Sequence, residues 1–401
     1  MTKVKKRLLM TTPMTKQAEK AKEENFYLIA LMKKAANLVN ISNYADELYI
    51  FDINNTKKLD SFIQNIHEQE PLDFIYHLGH DELMEPAYQI AEKHGLSLNS
   101  LESINIINDK YKMREMLTKH GISTVRYKKA LNISEISGIV KTFGYPLILK
   151  PTNLSGSRGV TLCKDYHDVV EWENLMEKHK YLGPFLVEEY LEGSEVSVEA
   201  LTFEGKHEII GLTDKIKTPL PLFVELGHVH PSQLPIDIQE EVKNTVIDFL
   251  NLTNYQFGPT HTELIITKEG PKIIESHTRL AGDRIPVLVE AATGICMEEA
   301  IFKLLNSKKV SFAKKDEVAM IKYFQWEKGE IEDIKGLEII EKTPDVLMFE
   351  STLKAGDMVP DIVDSDSRYG YIIVKGETYE KVSKRMQEIM QMVKVKIKDS
   401  I

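Results

Sequence analysis

His261-Thr262-Glu263-Leu264-Ile265-Ile266-Thr267, then Lys268-Glu269-Gly270, then Pro271-Lys272-Ile273-Ile274-Glu275-Ser276-His277-Thr278-Arg279 is the stretch that organises the chain. Two apolar runs flank a short turn ending in glycine, the pattern of a β-hairpin. Each arm carries one glutamate among apolar neighbours, Glu263 and Glu275. An unpaired carboxylate is costly in such a setting. Two of them brought side by side by a hairpin make a site for a hard cation. With Arg279 just beyond, the segment reads as a metal–phosphate centre.

Working outward, residues 109 to about 200 carry further candidates. A helix near Lys110–His120 stops at Gly121, and another near Ser134–Phe143 stops at Gly144. Pro146–Lys150 is a strand ending in lysine, followed by the loop Asn153-Leu154-Ser155-Gly156-Ser157-Arg158-Gly159, then a strand from Val160 to Leu162. Gly156 and Gly159 let backbone approach a ligand closely. Ser155, Ser157 and free backbone N–H groups suit phosphate oxygens. No G-x-x-x-x-G-K-[ST] motif occurs, so this is not a Walker loop. Phe185-Leu186-Val187-Glu188-Glu189-Tyr190-Leu191-Glu192-Gly193-Ser194-Glu195 is a strand running into a turn, and Val196–Phe203 is a further strand.

Residues 1–108 alternate strand and helix signals, which implies a parallel sheet with crossover helices. Arg7–Met10, Leu48–Phe51 and Phe74–Leu78 are the strands, and 16–38 has helical composition. No GxGxxG follows the first strand, so a dinucleotide site is unsupported. Residues 214–236 hold Pro219, Pro221, Pro231 and Pro235 and read as a long irregular loop, the kind that is usually functional or disordered. Within it Glu225 and His228 are candidates for substrate contact. Toward the end, Val318–Phe324 and Tyr371–Val374 are strands, and a helix begins near Thr378 and leads into a short tail.

The chain has 401 residues, 42% apolar and 28% charged, with net charge −10. That is ordinary for a globular protein of two or three packed units. The acidic balance argues against nucleic acid as a partner, which needs a basic face. Two distant cysteines, Cys163 and Cys296, give neither a disulfide framework nor a zinc spacing and fit a reducing cytoplasm. No apolar run is long enough for a signal peptide or a membrane span.

In this order and spacing the segments resemble the ATP-grasp superfamily, in its biotin-carboxylase-like branch. Glu-x-Gly-His at 225–228 and Thr-Arg-Leu-Ala-Gly-Asp-Arg-Ile-Pro at 278–286 are similar to the bacterial L-amino acid ligases, which join two free amino acids into a dipeptide. The resemblance implies a mixed α/β and α+β fold: an N-terminal parallel-sheet domain at 1–108, an ATP-grasp region at 109–310 with its lid at about 123–200, and a C-terminal α+β region at 311–401 completing the core. It implies that Lys112 and Lys150 contact ATP phosphates under the loop 153–159. Glu188 would take the adenine amino group, the backbones of Glu189 and Leu191 the ring edge, and Glu195 the ribose. Lys215 would reach the terminal phosphate, Glu263 and Glu275 would hold Mg²⁺, and Arg279 would stabilise the charged intermediate. Glu225 and His228 would face the amino-acid substrates, with Asp283 and Arg284 as candidates for choosing their side chains.

One departure stands out. Many family members have Asn where this chain has His277, which places His277 either outside the metal's inner ligands or as a ligand shifting preference toward Mn²⁺. The expected activity is ATP-dependent ligation of a carboxylate and an amine. The alternatives are another amide or loading of a carrier protein, and a non-catalytic ATP-binding module. A carboxylase is disfavoured by the absence of a Met-Lys-Met biotin-attachment signal.

Overall fold

The computed structural model describes residues 5–33, 38–79, 81–152, 154, 156–220, 222–313 and 315–398. Ser155, one of the expected phosphate contacts, lies outside them, as does Asn153. Among the described residues no helix is long and apolar enough to cross a membrane.

Four short apolar runs, β1 (Arg7–Thr11), β2 (Tyr27–Met32), β3 (Glu47–Ile50) and β4 (Phe74–His77), form a parallel sheet in the order β3-β2-β1-β4. The helical reading of 16–38 is corrected here. A helix covers only Thr15–Glu23, and Tyr27–Met32 is a buried strand. Tyr-Leu-Ile-Ala-Leu-Met is continuously apolar, and a run of this length suits a strand covered on both faces as well as it suits a buried helix.

A second sheet contains β5 (Tyr127–Ala130), β6 (Leu147–Pro151), β7 (Thr161–Cys163) and β8 (Phe185–Glu189), antiparallel in the order β5-β8-β6-β7. Its apolar face packs with Trp172, Phe185 and Val187 in one cluster. The Trp172 indole N–H donates to Gly159 O at 2.8 Å, which pins the far end of the glycine loop.

The largest sheet has eight strands. It is built from β9 (Ser194–Phe203), β10 (Lys206–Lys217), β11 (Glu225–His230), β12 (Phe257–Thr267), β13 (Gly270–His277) and β14 (Val318–Tyr323). Beyond β15 (Ile331–Lys335), the strands β16 (Val346–Ser351) and β17 (Gly370–Gly376) complete it in the order β13-β12-β9-β10-β11-β14-β17-β16. β18 (Lys394–Ile397) pairs with β15, so the expected tail after the last helix is a strand. Because β9 belongs to this sheet, the four-stranded sheet of the expected lid ends at Glu189.

The irregular loop expected at 214–236 is also corrected. β10 continues to Lys217, and Glu225–His230 is a strand buried along its whole length between β10 and β14. Pro219 and Pro231 fall outside the strand, where a missing N–H interrupts no ladder.

β12 and β13 form the hairpin read from the sequence. Glu263 pairs directly with Glu275, and His261 with His277. A register shift follows Glu263, the local bend that a β-bulge uses to re-aim side chains. Where the lid connects to this hairpin, Gly193 lies so close to β12 that an added Cβ would sit 2.0 Å from the Ile266 carbonyl oxygen. Gly193→Ala is therefore expected to destabilise the fold by about 1–3 kcal/mol, read as a lower midpoint in urea unfolding.

Candidate functional site

A cavity of about 720 Å³ is lined by the lid sheet, the large sheet, the carboxyl ends of β1 and β4, and the segment at 365–366. Its floor is made of carboxylates, each held by a cation from another element. Glu275 Oε2 lies 2.7 Å from Lys110 Nζ. Glu263 Oε1 lies 2.5 Å from Lys215 Nζ. Lys215 also reaches Glu195 at 2.8 Å and Glu225 at 3.3 Å. Lys217 reaches the other Glu195 oxygen at 2.5 Å.

Oxygens of Glu195, Glu225 and Glu263 lie within 4.8 Å of one another around the Lys215 ammonium. Burial pushes the Lys215 pKa down, but the three carboxylates outweigh it and hold it well above the usual lysine range. Burial likewise opposes ionisation of Glu263, yet Lys215 and His261 bring it down to about 2. Glu275 is held well below the ordinary carboxylate range against its burial, by Lys110 and His277.

Behind the pair stands a histidine the sequence reading did not single out. His261 Nε2 lies 3.0 Å from Glu263 Oε1, and its Nδ1 lies 2.7 Å from Glu199 Oε1, a fully buried carboxylate. Burial lowers its pKa, but Glu199 and Glu263 raise it to about 10, so it stands as a cation supporting Glu263. His277 Nε2 lies 3.3 Å from Glu275 Oε1, and the two rings stack at 6.3 Å. The donor set at the hairpin fits a hard divalent cation: two carboxylates on paired positions, each oriented by a histidine.

Lys112 does not reach this cleft. It lies on the exposed face of the helix Lys110–His120, while Lys110, Met113, Arg114 and Leu117 make the buried face. Lys110 takes its place, donating also to Leu154 O at 3.0 Å. The i, i+3, i+4, i+7 spacing of those four residues is the signal that separates the two lysines.

Lys150 is buried and meets Glu188 Oε2 at 2.6 Å. The other Glu188 oxygen accepts from Arg114 Nε at 2.5 Å, and Arg114 also donates to Ile273 O. The Glu188 carboxylate is thus held between two cations. Burial raises its pKa, but Arg114 and Lys150 bring it down to about 2. Glu189, Tyr190 and Leu191 line the cavity beside Ile148, Ile265 and Ile274, a slot with apolar walls. Gly156 and Ser157 line the same cavity, whereas Gly159 is not among its lining residues. Gly156 and Gly159 have φ of 68° and 74°, and the Ser157 hydroxyl donates to Phe223 O at 3.1 Å.

At the other end, Glu225, His228, Arg279 and Asp283 all line the cavity. His228 Nε2 lies 3.0 Å from Asp283 Oδ2. Arg368, missed in the sequence, grips Asp283 with both terminal nitrogens at 2.7 and 2.5 Å and donates to the Glu225 carbonyl at 3.2 Å. Ser365 donates to Glu225 Oε2 at 3.1 Å. Arg284 is not part of the cleft. It is half exposed, 3.8 Å from Glu350 and over the Tyr371 ring. Asp283 and Arg284 both have positive φ, 51° and 61°, and this tight turn sends consecutive side chains in different directions.

Residues 143–287 match the ATP-grasp domain, and 322–398 match the L-amino acid ligase C-terminal domain 2. Over 247 residues the chain is 28% identical to alanine–anticapsin ligase of Bacillus subtilis (strain 168), a match covering 55% of this chain and 51% of that protein. The chain thus spans about half the length of the alanine–anticapsin ligases it matches. Phosphoribosylamine–glycine ligase of Caldanaerobacter subterraneus is 26% identical over 315 residues, covering 72% of this chain and 74% of that one. The crystal structure of L-amino acid ligase from Bacillus licheniformis superposes with a TM-score of 0.82 over 99% of this chain and 100% of that chain, at 18% identity, which shows a shared fold.

The buried Arg114–Glu188–Lys150 unit generates a pH-dependent prediction. Its carboxyl is lowered from 4.5 to about 2 in the folded state. The stability it contributes is therefore fully present above about pH 4.5 and is lost as pH falls through about 2. Glu188→Gln, which strands two buried cations, is expected to cost about 3–5 kcal/mol at pH 7. The gap between variant and parent should narrow steadily from pH 4.5 downward in urea unfolding curves.

Proposed function

We propose that this chain, with its ATP-grasp domain and L-amino acid ligase C-terminal domain, is an ATP-dependent carboxylate–amine ligase. It would join two L-amino acids through an aminoacyl phosphate and release ADP and phosphate. The observation that carries this reading is the cross-strand pair Glu263–Glu275 with Lys110 and Lys215 upon it, in one cleft with Lys150, Arg279, Glu225 and His228.

A carboxylate is a poor electrophile, and transfer of a phosphoryl group onto it supplies a leaving group that an amine can displace. Such transfer needs positioning and neutralisation of charge more than covalent participation by the protein. Glu263 and Glu275 would hold Mg²⁺, which would supply positive charge to offset that of the phosphates. His277, facing Glu275, acts in this reading by orienting that ligand, which leaves an all-oxygen set suited to a hard cation such as Mg²⁺.

Lys150 and Lys110 contact phosphates, and Lys215 the terminal one. The purine lies in the slot of Ile148, Leu191, Ile265 and Ile274, with the backbone of Glu189 and Leu191 on its edge and Glu195 at the ribose. Glu188 is reassigned from the adenine to the fixing of Lys150. Arg279 stabilises the acyl phosphate and its collapse, while Glu225 and His228 face the amino acids. The Ser157–Phe223 contact, which joins the glycine loop to the segment before β11, is suited to excluding water from an intermediate that hydrolyses readily.

Phosphate release from ATP should require a pair of free amino acids and no carrier protein, with the dipeptide appearing in step by mass spectrometry. Glu275→Gln should abolish it. Lys110→Ala should lower kcat/KM by about a hundredfold or more, whereas Lys112→Ala should stay within about twofold, since that side chain stands on the solvent face. Phosphate release without any amino-acid dependence would overturn the reading.

A further inference from the structure

An amine attacks an acyl phosphate through its lone pair, yet the amino group of a free amino acid is an ammonium ion at neutral pH. A group in the cleft has to take a proton from it, and that group must be an unspent acceptor. The buried carboxylates that line the cavity are engaged. Glu275 meets Lys110, Glu263 and Glu195 meet Lys215, and Glu188 meets Lys150. Glu225 has Lys215 on one oxygen and Ser365 on the other. Among the described histidines of the lining, His261 has both ring nitrogens on carboxylates, and His277 is turned to Glu275.

His228 differs. Its Nε2 lies 3.0 Å from Asp283 Oδ2, while its Nδ1 is buried with no hydrogen-bond partner. Burial favours the neutral form of Asp283, but Arg368 and His228 outweigh it and hold the carboxyl well below its ordinary range. An ionised carboxylate only accepts, so Nε2 carries the hydrogen, and in the neutral ring Nδ1 keeps a lone pair. A buried acceptor is costly unless some N–H meets it. Thr12 Oγ1 also lines the cavity and is buried without a partner, but a hydroxyl takes no proton at neutral pH. The surroundings of His228 are fixed. It lies on β11 between Lys215 of β10 and Ile321 of β14, and Arg368 holds Asp283 through both terminal nitrogens.

Resting on the ligase reading above, we propose that His228 Nδ1 is the general base that takes a proton from the ammonium group of the attacking amino acid, with Asp283 and Arg368 as its positioning residues. This is the arrangement of a base oriented by a third group. One proton passes from the ammonium to Nδ1, and the freed electron pair forms the C–N bond. The C–O bond to phosphate then breaks. The departing phosphate keeps the electrons of that bond and takes the second proton from nitrogen, leaving as hydrogen phosphate. The imidazolium left on His228, stabilised by Asp283, returns its proton to solvent.

The test uses the whole chain with ATP, Mg²⁺ and the pair of amino acids that releases most phosphate, and compares two nucleophiles. Hydroxylamine, put in place of either amino acid, is largely unprotonated at neutral pH and attacks an acyl phosphate without a base, giving a hydroxamate. His228→Asn should lower dipeptide formation by about a hundredfold or more, the scale of a lost general base, and raise the hydroxamate-to-dipeptide ratio at least about thirtyfold. Asp283→Asn should raise the same ratio at least about fivefold, because an amide favours the wrong tautomer of the ring. It decides the question if the histidine variant does not fold. A ratio unchanged in the variants, or dipeptide formation in His228→Asn within about threefold of the parent, overturns the proposal. A parent that makes neither hydroxamate nor dipeptide removes the ligase reading itself. A parent that makes both, with the two products falling in parallel in the variants, leaves the ligase standing and removes the base.

Discussion

Two carboxylates facing each other across a β-ladder inside a protein are tolerable only if cations meet them, and the arrangement of this molecule follows from that requirement. Glu263 and Glu275 occupy paired positions on β12 and β13. Their cations come from elsewhere: Lys215 from β10, two strands away in the sheet, and Lys110 from the first turn of a helix in another part of the chain. A third unit repeats the logic, since Arg114 binds Glu188 of the lid and the Ile273 carbonyl of the hairpin. Charge pairing therefore ties helix, lid and hairpin together at the point where the cleft opens. Removing any partner leaves a buried charge behind, which is why such pairs are costly to break even when their net contribution to stability is small.

The same pairing explains how a chain of net charge −10 can receive a polyphosphate. Overall charge governs solubility and long-range approach, whereas binding is decided by the local field. Here the field is built from lysines already drawn into the cleft by glutamates. Lys215 is shared among three carboxylates, so a phosphate competes for a cation that is in place rather than recruiting one from solvent. In the proposed reading, a lysine that turned toward phosphate would leave its carboxylate available to a metal cation, with both groups already in the cleft.

How much of this was legible in the sequence depended on how local the signal was. The hairpin was readable because its turn and its alternation lie within twenty residues, and the pairing of Glu263 with Glu275 follows from that register. The choice between Lys110 and Lys112 was also local, but it required following the helical period rather than the resemblance. Tyr27–Met32 was lost because an apolar run of that length carries no period of its own, and β11 because prolines at its margins hid a strand that its neighbours β10 and β14 define. Arg368 left no signal at all near Asp283. The two lie 85 positions apart, and only the docking of the C-terminal region brings them together.

That docking bears on where one unit ends and another begins. The C-terminal region expected from residue 311 continues the same sheet, since β14 pairs with β11 and β17 with β14. Its Arg368 closes Asp283 and caps the carbonyl of Glu225, and its Ser365 holds the Glu225 carboxylate. Arg368 also lies 3.9 Å over the Tyr323 ring, which fixes the guanidinium plane. Asp283 depends on this grip in a further way, because it and Arg284 both adopt left-handed backbone conformations that non-glycine residues hold only when their surroundings enforce them. The end of the cleft that holds Glu225, His228 and Asp283 is therefore completed by the last hundred residues, which supply Arg368 and Ser365.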